Sequence, residues 1–571
     1  MVDLDPRSLL GEAGKLALRF GDEAYFAALC LRSGLVGIEL PHRTASMLLS
    51  FERFGLLGGA VSIAATKHGD RVALIDERGP LSYKQLDKRS NALANAWRER
   101  GLEPGQGVAI LARNHRGFLD AVFAAAKCGA RIILLNTDFA GPQIREVAGR
   151  EGTDLLVYDD EYAGMLDGVD PPLGRWRAWT ESSASGTSID TESSASGTSI
   201  DTDGPAQDTL EALIEGGDTG TPRRPGRAAK VVILTSGTTG TPKGAPRQEP
   251  KSLGAIGGLL DKVPFRAREV TECCAPLFHA LGFVHALLAV AMGSTLVLRR
   301  KFDPAATLAS LERSRATAVI VVPVMLQRLL DLPDDGPAKH DLSALRIIFV
   351  AGAQLGIKLC ERATEGFGPV LYNLYGSTEV AFATIATPKD LAAEPGCVGG
   401  VVRGAVVKIF DEHGEELPPG STGRIFVGNS AQFEGYTGGG SKEQVKGLMS
   451  SGDVGHFDAA GRLFIDGRDD EMIVSGGENV FPREIEELLA RHEAIKEAST
   501  IGVPDEKFGQ RLRAFVVLRD GAALSGDEVR RYVAENLARF KSPREVVFLD
   551  VLPRNPTGKV LKRELAELPV D

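Results

Sequence analysis

A ten-residue segment rich in glycine and threonine contains the residue types that bind polyphosphates. It follows the apolar run 231–234 directly, so we expect a loop that leaves a strand. Its glycines let the backbone approach an anion closely, its hydroxyl groups donate hydrogen bonds, and its lysine supplies a cation. The spacing is not that of the usual P-loop, which ends in Gly-Lys-Ser/Thr. The segment reads Thr235-Ser236-Gly237-Thr238-Thr239-Gly240-Thr241-Pro242-Lys243-Gly244.

Further stretches place single reactive side chains among glycines, threonines and apolar residues. One of them, Phe278-His279-Ala280-Leu281-Gly282, sets a histidine in an apolar run. A lone histidine in such a run is often a core residue, so this stretch is informative only beside the others. The other four are Tyr375-Gly376-Ser377-Thr378-Glu379, Ser451-Gly452-Asp453, Gly467-Arg468 through Gly477-Glu478-Asn479, and Pro553-Arg554-Asn555-Pro556-Thr557-Gly558-Lys559.

The glycine- and threonine-rich segment and these four stretches resemble the motifs of the adenylate-forming superfamily, and they occur in the family's order. That superfamily includes acyl-CoA synthetases, luciferases and peptide-synthetase adenylation domains. The resemblance extends from about residue 51 to the end of the chain, and it is strongest to bacterial fatty-acid CoA ligases. It implies ATP and Mg²⁺ as cofactors and CoA as a co-substrate.

The resemblance implies a catalytic role for four residues. Members of the family join a carboxylate to the α-phosphate of ATP, which gives acyl-AMP and pyrophosphate. Glu379 matches the Mg²⁺ ligand, and Thr378 matches a donor to the α-phosphate. Lys559 looks like the catalytic lysine that contacts the carboxylate and the α-phosphate, and His279 would border the acyl carboxylate at the substrate gate.

The resemblance also implies which residues bind the nucleotide and CoA. Asp453 matches the ribose-binding aspartate, with Arg468 assisting it, while Tyr375 would stack on adenine beside Gly376. Asp470 matches the hinge about which the family rotates its small domain between the two half-reactions. The remaining residues are Gly352 and Ala353 at the other edge of adenine, Gly476 and Gly477 along the pantetheine path, and Thr235, Ser236, Gly237, Thr238, Thr239, Gly240 and Lys243 around the phosphates.

Several positions differ from the common family pattern. Leu448 and Ser451 stand where the family often has tryptophan and threonine, Gln354 replaces a frequent proline, and Pro556 replaces a common alanine. These residues flank the motifs and leave the reactive groups intact. They bear on substrate and rate more than on reaction class.

The substrate prediction rests on a few apolar and small residues. The helical run 286–291, with Gly293 and Ala383, contains no acidic residue that could pair with an amino group. This composition favours a fatty or other apolar acid over an amino acid. Three alternatives stay open: a fatty acyl-AMP ligase that delivers to a carrier-protein thiol, a luciferase-like oxidase, and a catalytically silent acyl or nucleotide binder.

The elements that must position these residues follow an α/β pattern. Apolar runs at 108–111 and 132–135 predict buried strands, and residues 119–127 between them predict a helix that ends at Gly129. Together with the resemblance, the pattern predicts a large α/β domain of two sheet layers with a small β-rich unit at 401–428. A small mixed α+β lid domain follows on a hinge. The predicted divisions are an N-terminal helical extension (1–50), the large domain (51–466) and the lid (467–571).

Composition limits the remaining function classes. The net charge of -10 argues against general nucleic-acid binding. Six scattered cysteines without a CxxC pair predict neither a zinc cluster nor a disulfide framework. We expect no signal peptide, and we expect no membrane span because no charge-free apolar stretch is long enough. We therefore expect a cytoplasmic enzyme, with peripheral membrane contact of the N-terminal helices and a homodimer as further options.

One segment has a composition of its own. The eleven residues 180–190 are repeated letter for letter at 191–201 and are rich in serine, threonine and glycine. Such a segment buries too little apolar surface to offset the entropy of ordering it. We expect a mobile, disordered surface insertion near 180–204 without a catalytic role.

Overall fold

The computed structural model describes residues 21–180, 208–235, 243–247, 252–333, 336–469, 473–475, 478–505, 509–537, 541–555 and 558–568. Apart from Thr180, the duplicated insertion lies outside the described part of the chain, as do the first twenty residues. Residues 21–33 form helix α1. The other helices are α2 (Pro41–His68), α3 (Tyr83–Glu99), α4 (Arg116–Cys128), α5 (Gly141–Arg150), α6 (Leu210–Glu215), α7 (Gly254–Lys262), α8 (Ala280–Ala291), α9 (Pro304–Ser314), α10 (Pro323–Leu330), α11 (Ile357–Phe367), α12 (Pro388–Ala393), α13 (Pro482–Ala490), α14 (Gly526–Asn536) and α15 (Lys562–Glu567).

Two large sheets form the body of the protein. The first has nine strands in the order β15-β14-β13-β12-β11-β9-β10-β1-β2, with a parallel centre and antiparallel edges. Its strands are β1 (Val72–Asp76), β2 (Gly79–Ser82), β9 (Val270–Cys273), β10 (Thr295–Leu298), β11 (Ala318–Val321), β12 (Ile347–Val350), β13 (Leu371–Tyr375), β14 (Thr384–Ala386) and β15 (Gly400–Val401).

The second large sheet has six strands in the order β6-β5-β3-β4-β7-β8, and only the β7–β8 pair is antiparallel. Its strands are β3 (Gly107–Leu111), β4 (Arg131–Leu134), β5 (Thr153–Asp159), β6 (Arg175–Trp179), β7 (Lys230–Thr235) and β8 (Lys243–Arg247). Helix α4 connects β3 to β4 and ends at Gly129, whose φ of 71° suits a residue without a side chain. This strand–helix–strand unit confirms the pattern expected from the sequence.

Two smaller sheets carry the C-terminal half of the motifs. The first has β16 (Ala405–Phe410), β17 (Gly423–Asn429), β18 (Gln444–Val445), β19 (Leu448–Phe457) and β20 (Leu463–Arg468), all antiparallel. The second has β21 (Ile473–Ser475), β22 (Glu478–Val480), β23 (Ile495–Asp505), β24 (Gly509–Leu518) and β25 (Glu545–Phe548). The predicted fold, a large α/β domain with a β-rich unit and a small C-terminal domain, is confirmed.

The predicted domain boundaries fall inside elements of the structure and stay predictions. Residue 50 lies inside α2, and residue 466 lies inside β20, where Arg468 is paired with Asp453 of β19. The capping box predicted from Ser525 and Glu528 is present, and it begins α14 directly after Ser525. Pro482 likewise occupies the first turn of α13.

Helix α2 links the N-terminal segment to the core. It bends at Gly55, whose φ of 71° and ψ of -165° interrupt the helix. Before the bend most side chains are exposed, whereas Leu57, Val61 and Ala64 after it are buried. Among the described residues, α2 is the one helix that is long and apolar enough to cross a membrane by length and composition alone.

Candidate active site

One cavity of about 1560 Å³ is lined by every predicted site residue whose side chain the structure describes. It lies beyond the carboxyl ends of the neighbouring parallel strands β12 and β13, a usual position for a ligand site in an α/β sheet. The β-rich unit and the C-terminal domain contribute the rest of the lining. The predicted residues along it are Lys243, His279, Gly352, Ala353, Tyr375, Gly376, Thr378, Glu379, Asp453, Arg468 and Lys559.

The remaining predicted residues cannot be placed in the same way. Eight of them lie outside the described residues. Five belong to the glycine- and threonine-rich segment 235–244, called the phosphate segment below: Ser236, Gly237, Thr238, Thr239 and Gly240. The other three are Asp470, Gly476 and Gly477. Thr235 is the last residue of β7, and its backbone is paired with Lys243 at the start of β8. The two ends of the segment are therefore adjacent, and the segment connects two antiparallel strands at the edge of the six-stranded sheet.

Asp453 is held by two side chains from different elements. The hydroxyl of Tyr375 donates to Oδ2 at 2.6 Å, and Arg468 Nη1 donates to Oδ1 at 3.1 Å. Burial raises the pKa of Asp453, although the charges of Arg468 and Lys559 oppose that effect. Burial and the neighbouring carboxylate also raise the pKa of Tyr375. The carboxylate is thus fixed at the wall of the cavity, in an orientation set by the end of β13 and the end of β20.

Glu379 is fixed by two hydroxyl groups. Ser377 Oγ donates to Oε2 at 3.0 Å, and the hydroxyl of Tyr436 donates to Oε1 at 2.8 Å. Lys243 Nζ lies 5.1 Å from the centre of the Tyr436 ring, within the range of a cation–π contact. Tyr436 therefore connects the carboxylate of Glu379 to the side chain of Lys243.

Tyr436 is a residue that the sequence reasoning missed. It follows Gly435, which has a φ of 117°, in the loop after β17. The neighbouring Thr437 N–H donates to the carbonyl of Gly244, which holds this loop against the phosphate segment. The Gly-Tyr pair is the one signal in the sequence that could have pointed to this position, but nothing in its spacing indicates the contact with Glu379.

The Lys559 loop packs against the large domain. Asn555 and Lys559 exchange backbone and side-chain hydrogen bonds across a tight turn, with Lys559 N donating to Asn555 Oδ1 at 2.9 Å. A Cβ on Gly558 would lie 2.4 Å from Val324 Cγ1 of α10, and Gly558 has a φ of 79°. The absent side chain thus permits both the turn and the close approach that brings Lys559 to the cavity.

A second contact joins the two domains at Gln354. Its Nε2 donates to Oε1 of Glu487 on α13 at 2.9 Å, and Lys358 nearby donates to the carbonyl of Ala490. Gln354 is one of the positions that differ from the common family pattern. Its side chain contacts the C-terminal domain, so the difference affects how that domain docks.

His279 lies at the start of α8, where its side chain lines the cavity. Its Nε2 is buried and has no hydrogen-bond partner among the described residues. Burial lowers the pKa of His279 to about 4, so the ring is neutral near pH 7. A neutral imidazole at this position can accept or donate one hydrogen bond to a ligand.

The carboxylate of Glu379 fits a single-carboxylate magnesium site. No group of three or more histidine, cysteine or acidic side chains that could hold a metal occurs among the residues described. Magnesium in nucleotide sites is usually held by one or two carboxylates together with phosphate oxygens and water. Glu379, held by its two hydroxyl donors and facing the Lys243 side of the cavity, matches that donor set.

Comparison with known proteins supports the same chemistry. Residues 61–437 match the AMP-binding enzyme family, and residues 484–559 match the AMP-binding enzyme C-terminal domain. The chain is 32% identical to an indoleacetate–CoA ligase of Aromatoleum aromaticum over 86% of its length and 93% of that protein. It is 30% identical to a fatty acid–[acyl-carrier-protein] ligase of Streptomyces coeruleorubidus, over 87% of its length and 93% of that protein.

Solved structures resemble most of the chain. ATP-bound MatB from Rhodopseudomonas palustris superposes with a TM-score of 0.76 at 26% identity, covering 89% of this chain and 98% of that one. The amide bond synthetase McbA from Marinactinospora thermotolerans gives a TM-score of 0.73 at 27% identity, covering 89% and 99%. The large domain and the small C-terminal domain are therefore both common to these proteins and this chain.

Proposed function

Because this chain belongs to the family of AMP-binding enzymes, we propose that it joins an apolar carboxylic acid of the fatty-acid class to CoA through an acyl-adenylate. ATP-dependent acyl-CoA ligation through an adenylate is the activity of its class. The single observation that carries the proposal is the shared cavity, which Lys243, Glu379, Asp453 and Lys559 all line. The choice of an apolar acid rests on the lining beyond His279.

The first half-reaction forms a mixed anhydride. A carboxylate oxygen of the acid attacks the α-phosphorus of ATP, the bond to the β-phosphate breaks, and pyrophosphate leaves. Negative charge builds on the phosphoryl oxygens, so preorganised cations and donors lower the barrier. Lys559 from the C-terminal domain and Thr378 of the 375–379 stretch both line the cavity. Lys559 would serve as the cation and Thr378 as the hydrogen-bond donor.

Asp453 and Glu379 orient the nucleotide in this scheme. Asp453, held by Tyr375 and Arg468, would accept hydrogen bonds from the ribose hydroxyl groups. Glu379 would hold Mg²⁺ beside the phosphates, and the ion would neutralise part of the charge of the leaving pyrophosphate. Tyr436 and Ser377 keep the Glu379 carboxylate in place for that role.

The second half-reaction transfers the acyl group. The sulfur of CoA attacks the acyl carbon, the carbon–oxygen bond to AMP breaks, and the thioester leaves with AMP as the second product. Lys559 lines the cavity in this pose of the C-terminal domain. Rotation about the predicted hinge at Asp470 would withdraw Lys559 and admit the thiol along Gly476 and Gly477.

Apolar residues along α8 support an apolar acid. Leu281, Val284, Leu288 and Ala291 line the cavity on the side of His279. They occur at helical spacing, so they share one face of α8. A hydrocarbon group bound there would leave its carboxylate beside His279.

A second candidate has a carrier-protein thiol as the acceptor in place of CoA. The observation that favours it is the Streptomyces coeruleorubidus relative, which its name describes as a fatty acid–carrier protein ligase. Both candidates share the first half-reaction, so they differ only in the thiol that is accepted.

A panel of carboxylic acids scored by pyrophosphate release, with and without CoA, tests the proposal. We expect apolar acids to support release and CoA to convert the bound acyl-AMP into thioester. Accumulation of acyl-AMP that CoA never consumes would favour the carrier-protein candidate. Absence of acid-dependent release for every member of the panel would favour a silent binder and contradict the proposal.

A further inference from the structure

The N-terminal segment supplies one wall of the acid-binding cavity. Val36, Met47, Phe51, Leu56 and Ala60 line the same cavity as Lys559 and Glu379. All five precede residue 61, where the match to the AMP-binding enzyme family begins. This part of the lining therefore comes from a segment that the family match does not include.

Helix α2 packs against α8, and the apolar lining of the cavity comes from both helices. Leu56, Ala60 and Ile63 follow one another at helical spacing on the second half of α2. Val284, Leu288 and Ala291 have the same spacing on α8. Phe51 and Met47, which precede the bend at Gly55, line the same cavity.

Several side chains of this lining are only half covered by protein. Phe51 is 49% exposed, Leu56 47% and Val284 45%. Exposed apolar groups that continue into a cavity mark a ligand or partner site. Here the three side chains line the cavity in which the acid is proposed to bind. A hydrocarbon tail bound in that cavity would cover their exposed surface.

Charged groups near this wall already have partners. Lys67 Nζ donates to the carbonyl of Leu35 at 2.9 Å, and burial lowers the pKa of Lys67. Glu23 Oε2 accepts from the N–H of Leu253 at 3.2 Å. The lining residues named above therefore offer apolar surface to a ligand, whereas Lys67 and Glu23 bond to backbone groups of the protein.

Helix α1 fixes the wall against the large domain. Phe26 is 2% exposed and packs on Gly257 of α7, where a Cβ would lie 2.3 Å from Phe26 Cδ1. The Tyr25 hydroxyl donates to Asp261 Oδ1 at 2.5 Å, and Arg403 Nε donates to Asp22 Oδ1 at 2.7 Å. These contacts anchor helix α1, which precedes the wall residues, on the large domain, while α2 packs against α8.

We propose that residues 35–60 form the wall of the cavity that contacts the hydrocarbon tail of the acid. This wall would adapt the site to long unbranched acyl chains. The inference rests on the proposed function and adds to it the chain length and the residues that set it. Helix α8 has 12 residues, which corresponds to a length of about 18 Å. C–C bonds of about 1.5 Å zigzag along an extended saturated chain, so that each carbon adds about 1.3 Å to its length. A length of about 18 Å therefore accommodates roughly 14 carbons.

The cavity volume agrees with a large acid. A typical small-molecule pocket has a volume of about 300–1000 Å³. The cavity here is about 1560 Å³, above that range, so it has space for a hydrocarbon tail beside a nucleotide.

The test compares chain-length profiles of variants with added bulk. Ala60→Trp places a ring on the wall, and Val284→Trp places one on the opposite helix, whereas Ala45→Trp adds the same ring at an exposed position of α2 as a control. Saturated acids of six to sixteen carbons are scored by pyrophosphate release. For both wall variants we expect kcat/KM to fall at least tenfold for the sixteen-carbon acid and to stay within threefold for the six-carbon acid.

A milder variant separates tail binding from folding. Phe51→Gln changes a half-exposed residue, so its Tm should stay close to that of the unaltered enzyme while long acids lose more activity than short ones. Equal losses at all chain lengths, or profiles like that of Ala45→Trp, would overturn the inference. So would an unaltered enzyme that adenylates only short or compact acids, whereas the absence of adenylation of any acid would instead overturn the proposed function.

Discussion

At the scale of single residues, the site depends on groups that are far apart in the sequence and are fixed by hydrogen bonds. Asp453 is held by Tyr375 and Arg468, and Glu379 is held by Ser377 and Tyr436. Lys559 lies close enough to Asp453 to oppose the effect of burial on its pKa. Because both carboxylates have a defined orientation before a ligand binds, they need little reorganisation during the reaction.

Lys559→Ala tests the role of the lysine in adenylation. Loss of a preorganised cation should cost about 3–4 kcal/mol of barrier, which lowers the rate about 10²–10³-fold. Acid-dependent pyrophosphate release measures this step, with Lys496→Ala, an exposed lysine of the same domain, as the control. If both variants release pyrophosphate at the unaltered rate, Lys559 has no part in adenylation.

Tyr436→Phe tests whether the tyrosine positions Glu379. The variant keeps the ring beside Lys243 and removes only the hydroxyl that donates to the carboxylate. Removing a group that orients a metal ligand typically costs about 10–100-fold in metal affinity or activity. We expect the Mg²⁺ concentration for half-maximal rate to rise, while the KM for the acid changes little.

Tyr532→Phe on α14 provides the control for this variant, because it makes the same chemical change in the C-terminal domain away from Glu379. An unchanged Mg²⁺ dependence in Tyr436→Phe would show that Ser377 alone is sufficient to orient the carboxylate.

At the scale of elements, the fit between the Lys559 loop and α10 decides whether the lysine reaches the cavity. Gly558→Ala would place a methyl group 2.4 Å from Val324 Cγ1. We expect adenylation to fall at least tenfold, because that contact is shorter than packed carbon atoms tolerate. Thioester formation from supplied acyl-AMP, measured separately, should change less, since that step is expected to use another pose of the domain.

Gly521→Ala is the matched control, since Gly521 has a similar φ of 75° but no atom within 4 Å of the added Cβ. It imposes the same backbone strain without the steric contact. Restoration of adenylation in the double variant Gly558→Ala/Val324→Ala would support the packing explanation, and equal losses in the two single variants would contradict it.

Much of this arrangement could be predicted from local sequence. The apolar runs at 108–111 and 132–135 correspond to β3 and β4, and the Ser525 capping box starts α14, because these signals depend on near neighbours. The Gln354–Glu487 contact and the Tyr436–Glu379 contact could not be predicted. Each joins elements whose relative position is set by packing of the whole fold and leaves no periodic signal in the sequence.

At the scale of the whole molecule, one cavity receives residues from the large domain, the β-rich unit and the C-terminal domain. Residues before 61, on both sides of the bend at Gly55, also line this cavity. The membrane contact, the homodimer and the exact domain boundaries stay predictions. The overall architecture explains why motifs spread over more than 300 residues can act on one nucleotide.

The buried histidines link global stability to pH. His285 is 4% exposed and packs 4.4 Å from Phe349 between ring centres, and burial lowers its pKa to about 4. Between pH 6.5 and 4 the unfolded chain binds more protons at this position, so stability falls as the pH falls. We expect His285 to account for about 2 kcal/mol of the loss between pH 7.5 and pH 5.

Urea unfolding of His285→Leu at several pH values measures this contribution. The variant should lose less stability than the unaltered protein on going from pH 7.5 to pH 5, while His413→Leu, which removes an exposed histidine, should behave like the unaltered protein. The same pH dependence in all three proteins would mean that His285 is not the group that titrates.

The most direct test of the central claim follows the oxygen atoms of the acid. With an apolar acid labelled with ¹⁸O in its carboxylate, one labelled oxygen becomes the bridge of the acyl-adenylate and stays with AMP when the thiol attacks the acyl carbon. We therefore predict one ¹⁸O atom in the phosphate group of AMP for each thioester formed, together with one pyrophosphate. Unlabelled AMP, or the release of ADP and phosphate in place of pyrophosphate, would contradict the account.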